Sequence, residues 1–234
     1  GLLKIQHPAF PALVAVVGED FPQEHVDFLQ SRESDLQGLQ RIPGRTFHWS
    51  GKYGYDLNEA QTLDTQLNVL LDFKPELPAT YRATDVLFLA NIDPELQLQV
   101  LDQVDKPRLT ACDSMNFWIS SKPEALQQVM KRVDIVVINE GEARMLTGEA
   151  NLVKAARQII ALGCKRLVVK RGEYGVLMFT ADSIFAAPAW PLEEVFDPTG
   201  AGDTFAGGFM GYLANTGDFS EEGMRQALVF GSVM

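Results

Sequence analysis

Residues 197–209 read Asp197-Pro-Thr-Gly-Ala-Gly-Asp-Thr-Phe-Ala-Gly-Gly-Phe209, which sets an anion cradle beside a carboxylate at the start of a helix. Gly200, Ala201 and Gly202 carry little or no side chain, so three successive backbone N–H groups can turn toward one point and approach a ligand closely. The pattern predicts a helix over residues 204–214, whose unpaired N-terminal N–H groups and positive dipole end add to the same field. A phosphate suits such a place. Asp203, at the helix start, is within reach of a hydroxyl held beside that phosphate and suits the role of proton acceptor as the hydroxyl attacks. The chemistry implied is phosphoryl transfer to a hydroxyl. Ala206, Gly207, Gly208 and Gly211 are small and let the helix pack closely on its neighbours. A purely structural account is the alternative: Asp203 as an N-cap and the glycines as a tight turn.

The longer string Asp197-Pro-Thr-Gly-Ala-Gly-Asp-Thr-Phe205 closely resembles the C-terminal signature of the ribokinase-like (PfkB) family of carbohydrate kinases. The resemblance implies that the backbone of Gly200, Ala201 and Gly202 is the anion hole for the transferred phosphoryl group and that Asp203 is the catalytic base. It also implies that Thr199 joins the nucleotide site and that Asp197 belongs to a monovalent-cation (K⁺) site. Two more segments match in the expected order. Val136-Val-Ile-Asn-Glu-Gly-Glu142 resembles the family's Asn-x-x-Glu element, with Asn139 and Glu142 in the matching places. The apolar run 135–138 reads as a buried strand, so Asn139 would stand at its carboxyl end, where open α/β sheets place their ligands. A carboxylate there can organise Mg²⁺, usually through water, because Mg²⁺ dehydrates reluctantly. The alternative is a capping box, with Asn139 as N-cap and Glu142 completing it. Leu167-Val-Val-Lys-Arg-Gly-Glu-Tyr-Gly-Val-Leu177 reads as strand, glycine turn, strand. It resembles the family's Gly-x-x-Gly turn beside the nucleotide phosphates, with Gly172 and Gly175 as its glycines and Lys170 supplying positive charge. An ordinary hairpin with a solvated lysine is the other reading. Near the start, Ala12-Leu-Val-Ala-Val-Val-Gly-Glu-Asp20 resembles the strand and Gly-x-Asp turn that follow the family's first substrate-binding motif.

These elements need a scaffold. Strands are predicted at 12–17, 86–90, 109–112, 135–138 and 166–170. Helix starts alternate with them: Asp93-Pro94 opening a run to about Val104, a capping box at Ser121-Lys-Pro-Glu124, and Asn151 capping a helix that stops at Gly163. The alternation implies a single α/β domain over residues 1–234 with a mainly parallel, doubly wound sheet flanked by helices, of ribokinase-like class. Neither a Walker A sequence nor a Gly-x-Gly-x-x-Gly occurs, which removes support for a P-loop NTPase or a dinucleotide-binding fingerprint. From about 45 to 73 the alternation breaks, with Phe47, Trp49, Tyr53 and Tyr55 at period two. This segment looks like the family's small β lid, its aromatic face closing over the acceptor or packing on a second subunit's lid to form a homodimer. An amphipathic hairpin packing on its own domain is the plainer alternative.

Composition bounds the function. With 234 residues, 46% of them hydrophobic, the chain can bury a sizeable core. Its 20 basic and 31 acidic residues give a net charge of -11, which argues against a nucleic-acid partner. Cys112 and Cys164 lie in or beside apolar runs, as reduced thiols of a cytoplasmic protein would, and His7, His25 and His48 are scattered. No apolar stretch nears the roughly 20 residues of a membrane span, and no signal peptide is evident. The chain is expected to be an internal portion of a family member. Residues 1–10 lack the acceptor-binding aspartates and Gly-Gly element that precede the segment at Ala12, and the helix opened by Ser220 shows no C-cap signal. The expected activity is ATP- and Mg²⁺-dependent phosphorylation of a small carbohydrate. A nucleoside or vitamin precursor is the alternative acceptor, and a noncatalytic nucleotide-binding regulator the alternative class.

Overall fold

The computed structural model describes residues 11–55, 57–58 and 60–234, so the readings made on residues 1–10 lie outside the described residues. Two compact units emerge, one built from residues up to Thr84 together with Asp102–Asp105, the other from Asp85–Leu101 and Lys106–Met234.

In the first unit, β1 (Ala12–Val17) connects through α1 (Gln23–Ser31) to β2 (Asp35–Arg41), and the two strands pair in parallel as a sheet of their own. The strand at 12–17 therefore does not join the main parallel sheet. The polar run of β2 gives it no apolar face to offer a doubly covered sheet. The Gly-x-Asp turn after β1 is held by hydrogen bonds: Asp20 Oδ1 accepts from Thr46 N at 2.8 Å and from Thr46 Oγ1 at 2.6 Å, and Gly18 N donates to Thr46 Oγ1 at 3.0 Å. Within the segment 45–73, β3 (His48–Tyr53) and β4 (Ala60–Gln66) form an antiparallel hairpin. A register shift after Ser50 leaves Leu63 as an extra, exposed residue on β4, while Trp49 Nε1 reaches Thr62 Oγ1 at 3.2 Å. A short 3-10 turn (Asn68–Asp72) and α2 (Ala79–Arg82) follow, and Val69, Phe73, Leu77 and Tyr81 are buried along this stretch, as are Val16 and Val17 of β1.

The second unit carries the doubly wound architecture. Its strands are β5 (Val86–Leu89), β6 (Leu109–Asp113), β7 (Ile135–Asn139), β8 (Arg166–Lys170), β9 (Val176–Phe179) and β10 (Ile184–Ala187), side by side in the order β10-β9-β8-β7-β6-β5. Pairing is parallel from β5 to β8 and antiparallel from β8 through β10. Burial on both faces explains why these strands read as continuous apolar runs. Along β7, Val136 and Ile138 face one cluster with Leu126, Met130 and Ile159, while Ile135 and Val137 face another with Phe209, Leu213 and Leu228. The first face is covered by α3 (Pro94–Leu101), α4 (Asn116–Ser121), α5 (Pro123–Arg132), α6 (Glu140–Thr147) and α7 (Leu152–Ala161). The second is covered by α8 (Ala201–Thr216) and α9 (Glu221–Ser232).

Several boundaries differ from the sequence-based expectation. Ser121 is not an N-cap: it ends α4, where its hydroxyl donates to Phe117 O at 2.6 Å, and Lys122 stands at the N-cap of α5 without a side-chain capping bond to the helix. The helix opened by Pro94 stops at Leu101 rather than Val104. Asn151 caps α7 as expected, accepting from Lys154 N at 3.1 Å, and Ser220 caps α9 through Gly223 N at 3.1 Å. Val233 supplies the C-cap of α9 that the sequence did not reveal.

Gly175 closes the turn between β8 and β9 at φ +87°, where an added Cβ would press on Ala187 O, on Ala189 N at 2.7 Å and on Pro188 C at 2.8 Å. Both backbone sign and space demand glycine there. Gly175→Ala is expected to destabilise the fold by about 2–4 kcal/mol. Urea unfolding should show a lower midpoint with an unchanged slope, and a variant as stable as its parent would contradict the steric account.

Candidate active site

Three parallel strands end together. In the sheet register Asp113 pairs with Val137 and Asn139 pairs with Lys170, so Asp113, Asn139 and Lys170 stand at the carboxyl edge of β6, β7 and β8. That edge is where open α/β sheets bind ligands. The N-terminus of α8 reaches the same place: a Cβ on Gly202 would lie 3.0 Å from the ammonium Nζ of Lys170.

The cradle is shaped by backbone conformation. Gly200 is the N-cap of α8 at φ +84°, a left-handed conformation that costs other residues, and Thr204 N donates to Gly200 O at 2.8 Å as the first bond of the helix. The amides of Ala201, Gly202 and Asp203 precede that bond. Ala201 N, however, donates to Pro198 O at 3.1 Å, which differs from the expectation that three amides in a row point at a ligand. Gly202 and Asp203 supply the amides that lie outside the helix's own ladder. Asp203 is exposed in the first turn and close enough to Asp113 for their charges to interact.

Asn139 and Glu142 form the capping box in full. Glu142 N donates to Asn139 Oδ1 at 2.8 Å, and Asn139 N donates to Glu142 Oε2 at 2.7 Å. The box also fixes the carboxylate of Glu142, 6% exposed, at the sheet edge. Lys170 is not a solvated lysine: its ammonium meets Asp113 Oδ2 at 3.1 Å, with Asp113 itself buried. Gly172, at φ +53°, opens the 3-10 turn Gly172–Tyr174, and Gly175 N donates to Gly172 O at 3.0 Å. Beside it, Arg171 Nε contacts Glu140 Oε2 at 2.8 Å, and Glu140 also pairs with Arg144 at 2.6 Å, which ties the glycine turn to the start of α6.

Asp197 and Thr199 form a small turn, with Thr199 N donating to Asp197 Oδ1 at 2.9 Å. Hydrogen bonds from the Thr199 side chain and backbone hold the exposed Asp197 carboxyl below its ordinary range. Among the described residues no group of three or more His, Cys, Asp or Glu side chains gathers as a metal cage, and Glu142 and Asp197 are not brought into one. Sequence reasoning missed Asp113, Ser114, Glu140 and Arg171. The available signal was the charged residue directly after the buried run of β6, at the edge already marked by Asn139.

Electrostatically the edge holds more acid than base. Burial pushes Asp113 up, against the pull of Lys170 and of Ser114 N–H. Burial also pushes Glu142 up to about 7, with the charge of Asp113 adding to it and Asn139 N–H and Lys170 opposing. From an ordinary 4.5, this means the folded chain binds an extra proton between about pH 4.5 and 7. The stability contributed by that proton is fully present below about 4.5 and is lost as the pH rises through 7. Glu142→Gln keeps a carbonyl to accept from Asn139 N–H and removes the titration. Unliganded variant and parent should melt alike near pH 4.5, and above pH 7 the variant should be more stable by up to about 3 kcal/mol. A stability difference that does not change with pH would contradict this account.

The chain matches known proteins along most of its length. Residues 11–234 match the family described as pfkB family carbohydrate kinase. The cytidine kinase of Thermococcus kodakarensis is 36% identical over 203 residues, covering 85% of this chain and 72% of that protein. The deoxyribokinase of Salmonella typhi is 36% identical over 104 residues, 42% of this chain and 33% of that protein. A putative ribokinase II from E. coli in complex with ATP and Mg²⁺ superposes with a TM-score of 0.75 at 20% identity, over 96% of this chain and 76% of the other. The fold is thus ribokinase-like, and the chain belongs to the PfkB family of kinases.

Proposed function

We propose that this kinase transfers the γ-phosphoryl group of ATP to a hydroxyl of a ribose-containing small molecule, with a nucleoside as the acceptor. The observation that carries the transfer chemistry is the convergence at one sheet edge of the Gly202 and Asp203 amides, the Lys170 ammonium and the exposed carboxylate of Asp203. The amides and the ammonium neutralise charge that grows on the transferred group, and Asp203 takes the proton of the attacking hydroxyl. The acceptor class is supported by the likeness to the cytidine kinase, which extends over 72% of that protein. A free sugar is the second reading, favoured by the shorter match to the deoxyribokinase.

The donor set fits a magnesium nucleotide. The edge offers hard oxygen ligands, with the carboxylates of Asp113 and Glu142 against the single ammonium of Lys170. Glu142 would hold Mg²⁺, chiefly through water, with Asn139 orienting its carboxylate. When bound, Mg²⁺ and ATP supply the phosphoryl group and offset its charge. Lys170, Gly172 and Gly175 would line the phosphate side, and the Thr199–Asp197 turn would hold the entry to α8 in shape. At Asp197 the structure offers one exposed carboxylate, whose Oδ1 accepts from Thr199 N, as the oxygen it would contribute to a K⁺ site. None of the described helices is long and apolar enough to cross a membrane.

ADP release with ATP and Mg²⁺ across a panel of nucleosides and sugars is the test. Turnover is expected with a nucleoside, and Asp203→Asn should lower kcat by about 100-fold or more with little change in ATP affinity. A variant that turns over like its parent would refute the base assignment, and nucleotide binding without turnover on any acceptor would favour a noncatalytic regulator. The exposed Tyr55 and Leu63 of the β3–β4 hairpin support pairing with a second copy. Light scattering should therefore report a dimer for the parent and a monomer for Leu63→Lys; a monomeric parent would dismiss the hairpin as a subunit contact.

A further inference from the structure

Asp113 ends β6 with its side chain 6% exposed, a costly place for a charge without a partner. Its two oxygens have separate partners. Oδ1 accepts from Ser114 N at 2.7 Å, which fixes the plane of the carboxylate, and Oδ2 meets the Lys170 ammonium at 3.1 Å. These residues are not on neighbouring strands, because β7 lies between β6 and β8, so the pair reaches across the end of β7 where Asn139 caps α6. A lysine has a flexible four-carbon stem that carries much rotamer entropy. Here it is only 18% exposed, and its ammonium lies 3.0 Å from the position a Cβ on Gly202 would take.

We infer that Asp113 is a positioning residue that acts through Lys170, holding the ammonium beneath Gly202 so that it faces a phosphate oxygen bound on the Gly202 and Asp203 amides. The inference rests on the phosphoryl-transfer reading and deepens it. Asp113 need touch neither nucleotide nor acceptor. Its work is to remove the conformational freedom of a long side chain before the phosphate arrives, so that little ordering remains to be done on binding. The neutral pair also lets a positive group sit at the edge in the absence of ligand without collapsing onto Asp203.

The test is calorimetric binding of a non-hydrolysable ATP analogue, which keeps the γ-phosphate, at fixed Mg²⁺ with no acceptor present, alongside melting temperature, for the parent, Asp113→Asn, Lys170→Met and the joint variant. Asp113→Asn and Lys170→Met should each weaken binding of the analogue by roughly tenfold or more, the scale of losing a group that orients a direct contact. Because Asp113 works through Lys170, the joint variant should bind the analogue no more weakly than Lys170→Met alone. Wild-type affinity for the analogue in Asp113→Asn, with only the melting temperature lowered, would overturn the inference. So would a joint variant that binds at least threefold more weakly than Lys170→Met. If Asp113→Asn does not fold, the comparison of Lys170→Met with the joint variant still decides, since removing both members of a buried pair costs much less than removing one. A parent chain that binds no ATP analogue would instead strike down the phosphoryl-transfer reading and this inference with it.

Discussion

Charge balance at the carboxyl edge of a sheet buried on both faces governs this site. Asp113 and Glu142 are both almost fully removed from water, and the Lys170 ammonium is paired with the first of them. Two carboxylates and one ammonium leave a surplus of negative charge in a medium that screens it poorly. Burial, with the charge of Asp113 adding to it, raises the proton affinity of Glu142, and the strain is relieved by a proton or by an arriving cation. The edge cannot relax to escape this arrangement. Val136 and Ile138 on one face of β7 and Ile135 and Val137 on the other are locked into separate cores, so shifting the strand end would open both. Packing far from the site therefore holds the charges where they are uncomfortable without a ligand.

Backbone geometry does the complementary work. The positive φ of Gly200 turns the chain sharply into α8 and leaves the amides of Gly202 and Asp203 ahead of the first helical bond. At the next strand end, one motif serves two purposes. Asn139 and Glu142 cap α6, and the same two hydrogen bonds hold the Glu142 carboxylate in a single orientation. Capping and metal organisation are thus compatible demands on these residues, because a carboxylate already fixed by Asn139 N–H presents its remaining lone pairs without further loss of freedom.

Much of this was legible in the sequence, for reasons that differ by element. The cradle was readable because its parts are contiguous: Gly200, Gly202 and Asp203 must be neighbours to share one turn. Strands β5 to β8 were readable because burial on both faces writes them as apolar runs. Asp113 was not, since its meaning comes from a partner 57 residues away and from a strand order that periodicity does not encode. Ser121 misled because Ser-x-x-Glu is also what the end of one helix followed directly by another looks like. The polar Asp35–Arg41 strand gave no signal, for a two-stranded sheet needs little apolar surface. Only the register with Pro198 explains why Ala201, though small, keeps its amide for its own turn.

The residues that would handle phosphate all belong to one unit, residues 85–101 and 106–234, and each is fixed by contacts inside that unit. None of those contacts depends on what carries the acceptor hydroxyl. Amides, an ammonium and a carboxylate read charge and a proton; they do not read a base or a sugar ring. Such a centre is therefore portable between acceptors, which accounts physically for likeness to relatives named for a nucleoside and for a sugar alike. Discrimination between acceptors must then come from groups that contact the acceptor beyond its reacting hydroxyl. A polar site built for a base would reject a bare sugar by leaving its own donors and acceptors unpaired, whereas a site built for a sugar would reject a nucleoside on volume. The two readings of the acceptor thus predict opposite patterns of cross-reactivity from one and the same transfer machinery.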